Sequence, residues 1–162
     1  SLVRENQDKA QDYIQELSRV LRYTLQSNES QSVSLREEME FASAYIFLLK
    51  MRFENNLQFD IQIAKSFEDY RLPPMAVQVL IENAVKHNEI SDRKPLTIHI
   101  VTNNEGYLSV SNDIQPKRTA ASGTGIGLVN LAKRYRLLFK QDIQITEDKE
   151  FSVCIPLIDE VQ

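Results

Sequence analysis

Pro73-Pro74-Met75-Ala76-Val77-Gln78-Val79-Leu80-Ile81-Glu82-Asn83-Ala84-Val85-Lys86-His87 reads as one helix with two unlike faces. Proline suits a first helical turn, where its missing N–H has no partner to lose, so the helix is expected from Pro73 to about His87. At about 100° per residue, Gln78, Glu82, Lys86, Asn83 and His87 share one half of the helical wheel. Leu80, Ala84, Val77, Ile81 and Val85 occupy the other half and predict a face packed on a sheet; only Val79 interrupts the polar half. An ordinary solvated face has this same pattern. The other reading is a site for Mg²⁺ and phosphates, because Asn83 and Glu82 offer hard oxygen ligands while Lys86 and His87 would meet phosphate oxygens.

Around this helix the apolar period is two. Leu57, Phe59, Ile61 and Ile63 alternate with polar residues from Asn56 onward, the pattern of a half-buried strand. Leu96 to Val101 and Tyr107 to Val110 alternate likewise, and Asn103-Asn104-Glu105-Gly106 between them reads as a hairpin loop. Residues 114–125 lack periodicity and are expected to form a mobile loop. A helix carrying Ile126, Leu128, Val129, Leu131, Ala132, Tyr135 and Leu138 follows, and strands near 142–147 and 150–157 end the chain. Cys154 falls in the last alternating run and is read as packing; as the lone cysteine it excludes an internal disulfide and a cysteine zinc site. The order predicts an α+β domain over residues 56–162, with helices on one sheet face.

The first 55 residues are helical in period. Ala10, Ile14, Leu17, Leu21 and Thr24 form one stripe, and Leu35, Met39, Ala42, Ile46, Leu49 and Phe53 form a second. Ser27 to Ser34 is a polar break, and Ser34 with Glu37 fits a capping box opening the second helix. Residues 1–55 are therefore expected to be a helical hairpin. Two helices cannot cover both stripes, so the hairpin either packs on its own globular domain or dimerises into a bundle.

Composition removes several classes. With 42% apolar and 26% charged residues the chain is neither disordered nor low in complexity. A net charge of −4 with no basic tail opposes direct nucleic-acid binding, which draws on a basic stripe. No apolar run is long enough to span a membrane and the start does not read as a signal peptide. Because the chain begins at Ser1 rather than Met, anchoring or sensing segments are expected further upstream.

Only four residues are glycine, and three of them stand together at Gly123, Gly125 and Gly127. Ser122-Gly123-Thr124-Gly125-Ile126-Gly127-Leu128 is not a P-loop, since no Gly-Lys-Ser/Thr follows, and its G-x-G-x-G spacing is not the dinucleotide fingerprint. It sets three positions without a Cβ just before a helix N-terminus, where backbone amides can approach an anion. A glycine-rich hinge is the alternative.

Taken in order, Leu80-Ile81-Glu82-Asn83-Ala84-Val85-Lys86-His87 and Gly123-Thr124-Gly125-Ile126-Gly127-Leu128 resemble the N box and G2 box of the GHKL (Bergerat-fold) ATPases. The flanks resemble one branch, the LytS-type sensor histidine kinases: Leu35 to Glu40, Tyr45, Arg52-Phe53, Leu72-Pro73-Pro74, Asn130, Arg134-Tyr135 and Phe151 to Pro156. This resemblance covers nearly the whole chain. It implies a two-layer α/β sandwich over residues 56–162 that binds ATP and Mg²⁺, preceded by a dimerisation hairpin that carries the phosphoacceptor.

Residue by residue, Asn83 matches the metal-binding asparagine, Glu82 the acidic residue beside it, and Lys86 and His87 the basic end of the N box. Gly123, Thr124, Gly125, Ile126, Gly127 and Leu128 match the phosphate end of the lid. The resemblance departs from the family in two places. Where the G1 box has an aspartate for the adenine amino group and then a glycine, this chain has Asn112-Asp113-Ile114; the amide oxygen of Asn112 can accept from that amino group, or Asp113 can by a shift of register. The phosphoacceptor histidine box is absent, since His87 and His99 both lie beyond the hairpin.

The resemblance implies the ATP-binding part of a homodimeric two-component kinase, a cytoplasmic domain of an inner-membrane sensor. Its complete protein would transfer the γ-phosphoryl group of ATP to a histidine for relay to a response regulator receiver domain. This chain, lacking the acceptor, is expected to bind nucleotide without phosphorylating itself. The alternatives are an anti-sigma-type serine kinase of the same fold, a nucleotide-independent dimerisation module, and a gyrase-type ATP-hydrolysing clamp.

Overall fold

The computed structural model describes residues 2–27, 31–117 and 125–160. Along the chain run α1 (Leu2–Ser27), β1 (Val33–Ser34), α2 (Leu35–Phe53), β2 (Leu57–Gln62), β3 (Arg71–Leu72) and α3 (Ala76–His87). Then follow β4 (Leu96–Thr102), β5 (Tyr107–Asp113), α4 (Ile126–Phe139), β6 (Gln144–Glu147) and β7 (Glu150–Pro156). The five longer strands form one sheet in the order β2-β4-β5-β7-β6, with β2 parallel to β4 and every other pair antiparallel. β1 and β3 form a separate antiparallel pair, and Arg71 of β3 also bridges to Ile158 beyond β7.

Alternation decides the layers. Leu96, Ile98 and Ile100 of β4, Leu108 and Val110 of β5, and Val153 and Ile155 of β7 are buried on one face of the sheet. Val77, Leu80, Ile81 and Ala84 of α3 and Leu131 and Tyr135 of α4 join them in one core. The opposite face is wetter, as is usual for an antiparallel sheet, and there His99 Nδ1 lies 3.0 Å from Asp60 Oδ2. The result is the two-layer α/β sandwich expected from the sequence.

The hairpin loop forms as read. Asn103 Oδ1 accepts from the amides of Glu105 and Tyr107 at 2.9 and 3.0 Å, and Gly106 takes the left-handed φ of 85° that closes the turn. β5 runs three residues past Val110, because β7 continues to pair with it as far as Asp113 opposite Glu150.

Both N-terminal helices form, and their stripes meet different fates. Ser34 caps α2 by accepting from the Glu37 amide at 3.1 Å, while its hydroxyl donates to Glu37 Oε1 at 3.4 Å. Leu35, Ala42, Ile46 and Leu49 of α2 belong to the same core as the sheet, so this helix packs on the globular part. Its other side, Phe41 and Ala44, packs on Val20 of α1. Most of the α1 stripe stays open: Ile14, Leu17 and Leu21 are 61%, 37% and 56% exposed, while Thr24 is half-buried. No helix among the described residues is long and apolar enough to cross a membrane.

α3 begins three residues later than the prolines suggest. A residue before proline is pushed out of the helical region, so Pro73 cannot open the helix, and Met75 turns the chain with φ 68° and ψ 11°. Its cap comes from elsewhere in the chain: the Met75 amide donates to Glu38 Oε1 at 3.0 Å.

Candidate functional site

α3 presents its polar half to the start of α4. Among those side chains Glu82 and His87 are exposed, and Gln78, Asn83 and Lys86 are half-buried. α4 opens at Gly125, which has φ 65° and contributes no side chain to the cap. The first amides of α4 are therefore not engaged by a capping side chain, and the helix dipole adds positive potential at that end. Two hydrogen bonds hold α4 against its neighbours. Arg134 Nη1 donates to the Pro74 carbonyl at 2.8 Å, and Tyr135 Oη donates to the Pro156 carbonyl at 2.9 Å.

Two adjoining cavities occupy the cleft. The larger, about 450 Å³, has an apolar side from Ala84, Ile114, Leu128 and Phe151 and polar groups from Asn83, His87, Asn88 and Glu147. The smaller, about 150 Å³, lies over Glu82, Lys86, Ile126 and Gly127. Asn83, His87, Gly125 and Leu128 line both. A chamber with an apolar side, joined to a smaller one lined by Lys86, His87 and the first residues of α4, suits a ligand with an aromatic end and an anionic end.

The sequence-derived candidates are thus partly gathered. Glu82, Asn83, Lys86, His87, Gly125, Ile126, Gly127 and Leu128 surround the cleft. Asn112 and Asp113 line neither cavity: Asn112 is 1% exposed with Nδ2 donating to the Asp113 carbonyl at 2.7 Å, and Asp113 is exposed. Gly123 and Thr124 lie outside the described residues.

Sequence reading overlooked Asn88. It is 6% exposed, its Nδ2 donates to the Ala84 carbonyl at 2.8 Å, and its Oδ1 accepts from the Gln115 amide at 2.8 Å. One side chain therefore closes the C-terminus of α3 and fastens it to the segment after β5. An asparagine just past the last helical residue is the signal that points to it. A third cavity of about 640 Å³ lies on the other flank of α3, between Glu82 and Lys86 and the α2 residues Tyr45 and Arg52. Burial and then the Glu82 charge push the Tyr45 hydroxyl up to about 12.

Known proteins share both the sequence and the fold. The histidine kinase family profile matches residues 1–57. A sensor protein LytS of Streptococcus mutans is 34% identical over 91% of this chain and 28% of its own length. A sensor histidine kinase/phosphatase LytS of Staphylococcus aureus is 30% identical over 86% of this chain and 26% of its own length. The chain thus spans about a quarter of the length of these curated relatives. Among solved structures, the catalytic domain of histidine kinase ThkA superposes with a TM-score of 0.54 at 18% identity, covering 79% of this chain and 99% of that one. Similarity along nearly the whole sequence, joined to the same fold, ties this chain to the LytS-type sensor histidine kinases, of whose length it spans about a quarter.

Proposed function

We propose that the cleft between α3 and α4 binds ATP with Mg²⁺ and that this chain is the nucleotide-binding part of a kinase that phosphorylates a histidine. The observation that carries this reading is the shared wall of the two cavities, where Asn83 of α3 faces Gly125 at the start of α4. In it the larger cavity takes the base and the smaller one the phosphates. Residues 56–162 then act as the ATP-binding domain and residues 1–55 as the hairpin.

Among the described residues no three His, Cys, Asp or Glu side chains come together as a metal cage. A single amide oxygen such as that of Asn83 fits Mg²⁺, which keeps several waters and takes phosphate oxygens with only one or two protein ligands. Asn83 would hold it through its amide oxygen. When bound, the ion neutralises phosphate charge. Lys86 and His87 orient the phosphates, the first amides of α4 meet them, with Gly123 and Thr124 preceding those amides in the same glycine-rich sequence, and Glu82 accepts the proton of an incoming nucleophile. The adenine contact expected of Asn112 or Asp113 is not part of this arrangement, because neither residue lines the cavity that takes the base.

In the complete protein the γ-phosphoryl group would pass to a histidine and onward to a response regulator receiver domain. The open apolar stripe of α1 supports homodimerisation through the hairpin, since Ile14, Leu17 and Leu21 are exposed. The resemblance to membrane sensors supports a cytoplasmic position for this part. Calorimetry with ATP in the presence and absence of Mg²⁺ tests the nucleotide site. Saturable heat that strengthens with Mg²⁺ is expected; no heat and no thermal shift at millimolar nucleotide would overturn the reading.

A further inference from the structure

The proposed chemistry leaves one buried charged side chain unused. Glu38 of α2 is 0% exposed, yet none of the three cavities around α3 is lined by it. Its Oε1 accepts from the Met75 amide at 3.0 Å and from the Tyr23 hydroxyl at 3.2 Å. Its Oε2 has no hydrogen-bond partner among the described residues. The amides of Ala76 and Val77 lie close enough to favour its charged form without completing hydrogen bonds to it. A carboxylate at the positive end of α3 is electrostatically well placed, but its full burial is costly unless it has something to hold.

Four helices meet there. Tyr23 comes from α1, and its ring stacks on Phe41 of α2 with centroids 4.1 Å apart and planes 13° from parallel. Arg134 comes from α4, half-buried, with its Nη1 on the carbonyl of Pro74. Met75 between them has a left-handed backbone, a conformation that a methionine keeps only when its surroundings hold it. From Ala76 to Asn83 α3 makes about two turns. A helix of that length moves as a unit, so whatever fixes Met75 also fixes the height and rotation of Asn83.

We infer that Glu38 is a positioning residue for the nucleotide cleft, joining α1 through Tyr23 to the start of α3 through Met75, so that the attitude of α1 sets how Asn83 is presented. This rests on the nucleotide reading of the cleft. A change in α1 that withdraws the Tyr23 hydroxyl releases one of the two donors on Oε1 and lets the Met75 turn relax. The path is a contiguous set of hydrogen bonds and stacked rings, not mere proximity.

The test uses the chain as it stands, with Tyr23→Phe and Glu38→Gln variants. Tyr23→Phe keeps the ring on Phe41 and removes only the hydroxyl; it also serves if Glu38→Gln fails to fold. Two quantities are read: the Mg-ATP dissociation constant by calorimetry, and the ¹⁵N amide resonances of α3 without nucleotide. Tyr23→Phe should weaken Mg-ATP about fivefold, the lower end of ordinary coupling between sites, and shift the Asn83 resonance. A merely structural role would lower the melting temperature and leave both quantities unchanged in folded protein. If wild type binds and Tyr23→Phe binds equally, with shifts confined to residues beside Tyr23, the inference is overturned. If wild type does not bind Mg-ATP, the cleft reading falls instead, and the Asn83 resonance alone still decides the positioning role.

Discussion

Val79 stands directly against Gly127: a Cβ built on Gly127 would lie 3.4 Å from Val79 Cγ1. This contact explains the one apolar residue on the polar half of α3, since Val79 packs on the first turn of α4 there. A methyl group just fits there. Gly127→Ala should be near neutral or stabilising by up to about 1 kcal/mol, because alanine is the better helix former. Gly127→Ile should destabilise by about 1–3 kcal/mol through overpacking. Urea unfolding of the two variants distinguishes them; equal stability would mean that α3 and α4 separate freely.

Gly125 has the opposite problem. Nothing lies within 4 Å of a Cβ built there, but its φ is 65°. The cost of a side chain is therefore in the backbone and not in the space around it. Gly125→Ala should cost about 1–2 kcal/mol, the left-handed penalty for an L-residue. Gly125→Asn should cost less, because asparagine tolerates that region. Denaturant midpoints for the pair give the answer, and a tie would show that the turn rearranges.

Replacing Asn83 probes the metal directly. Taking the lost oxygen ligand at roughly 1.4 kcal/mol, Asn83→Ala should weaken Mg-ATP about tenfold. Nucleotide in excess chelator should bind variant and wild type alike. Titration calorimetry in both buffers reads the difference, and equal weakening in the two would remove Asn83 from the metal.

Burial lifts the Glu38 carboxyl to about 7, against stabilising hydrogen bonds from Met75 and Tyr23. The unfolded chain holds that proton only below about 4.5. In this window the folded state binds more protons, so stability is greatest below about 4.5 and falls as pH rises to about 7. The loss is at most about 3 kcal/mol on the usual 1.36 kcal/mol per pH unit. Tyr23 and Arg134 face the same carboxylate and stay protonated throughout that range, so they do not mask the slope. Unfolding free energies at pH 5 and pH 7.5 should differ less in Glu38→Gln than in wild type. An identical pH dependence would mean the carboxyl is not buried in solution.

Much of the layer structure was legible in period alone. Leu80, Ala84, Val77 and Ile81 on the wheel, and Leu96, Ile98 and Ile100 along the strand, are the residues that meet in the core. The capping box at Ser34 and the asparagine turn at Asn103 were also readable, because each is completed within four residues. Asn88 escaped because its second partner, Gln115, lies 27 positions away. The start of α3 was open to a local rule, since Pro74 keeps Pro73 out of the helix, but its cap was not, because Glu38 lies 37 positions before Met75.

By itself the sequence determined which faces are apolar, where short-range caps and turns fall, and which ordered motifs resemble the kinase family. These depend on neighbours along the chain and on a helical or strand period that hydrophobic burial enforces. Only the tertiary structure decided that α2 shares the core of the sheet while the α1 stripe stays open. It alone placed Val79 under Gly127 and buried Glu38 beneath the first turn of α3. Such contacts join residues far apart in sequence, and their energy comes from close packing and desolvation that no local pattern records.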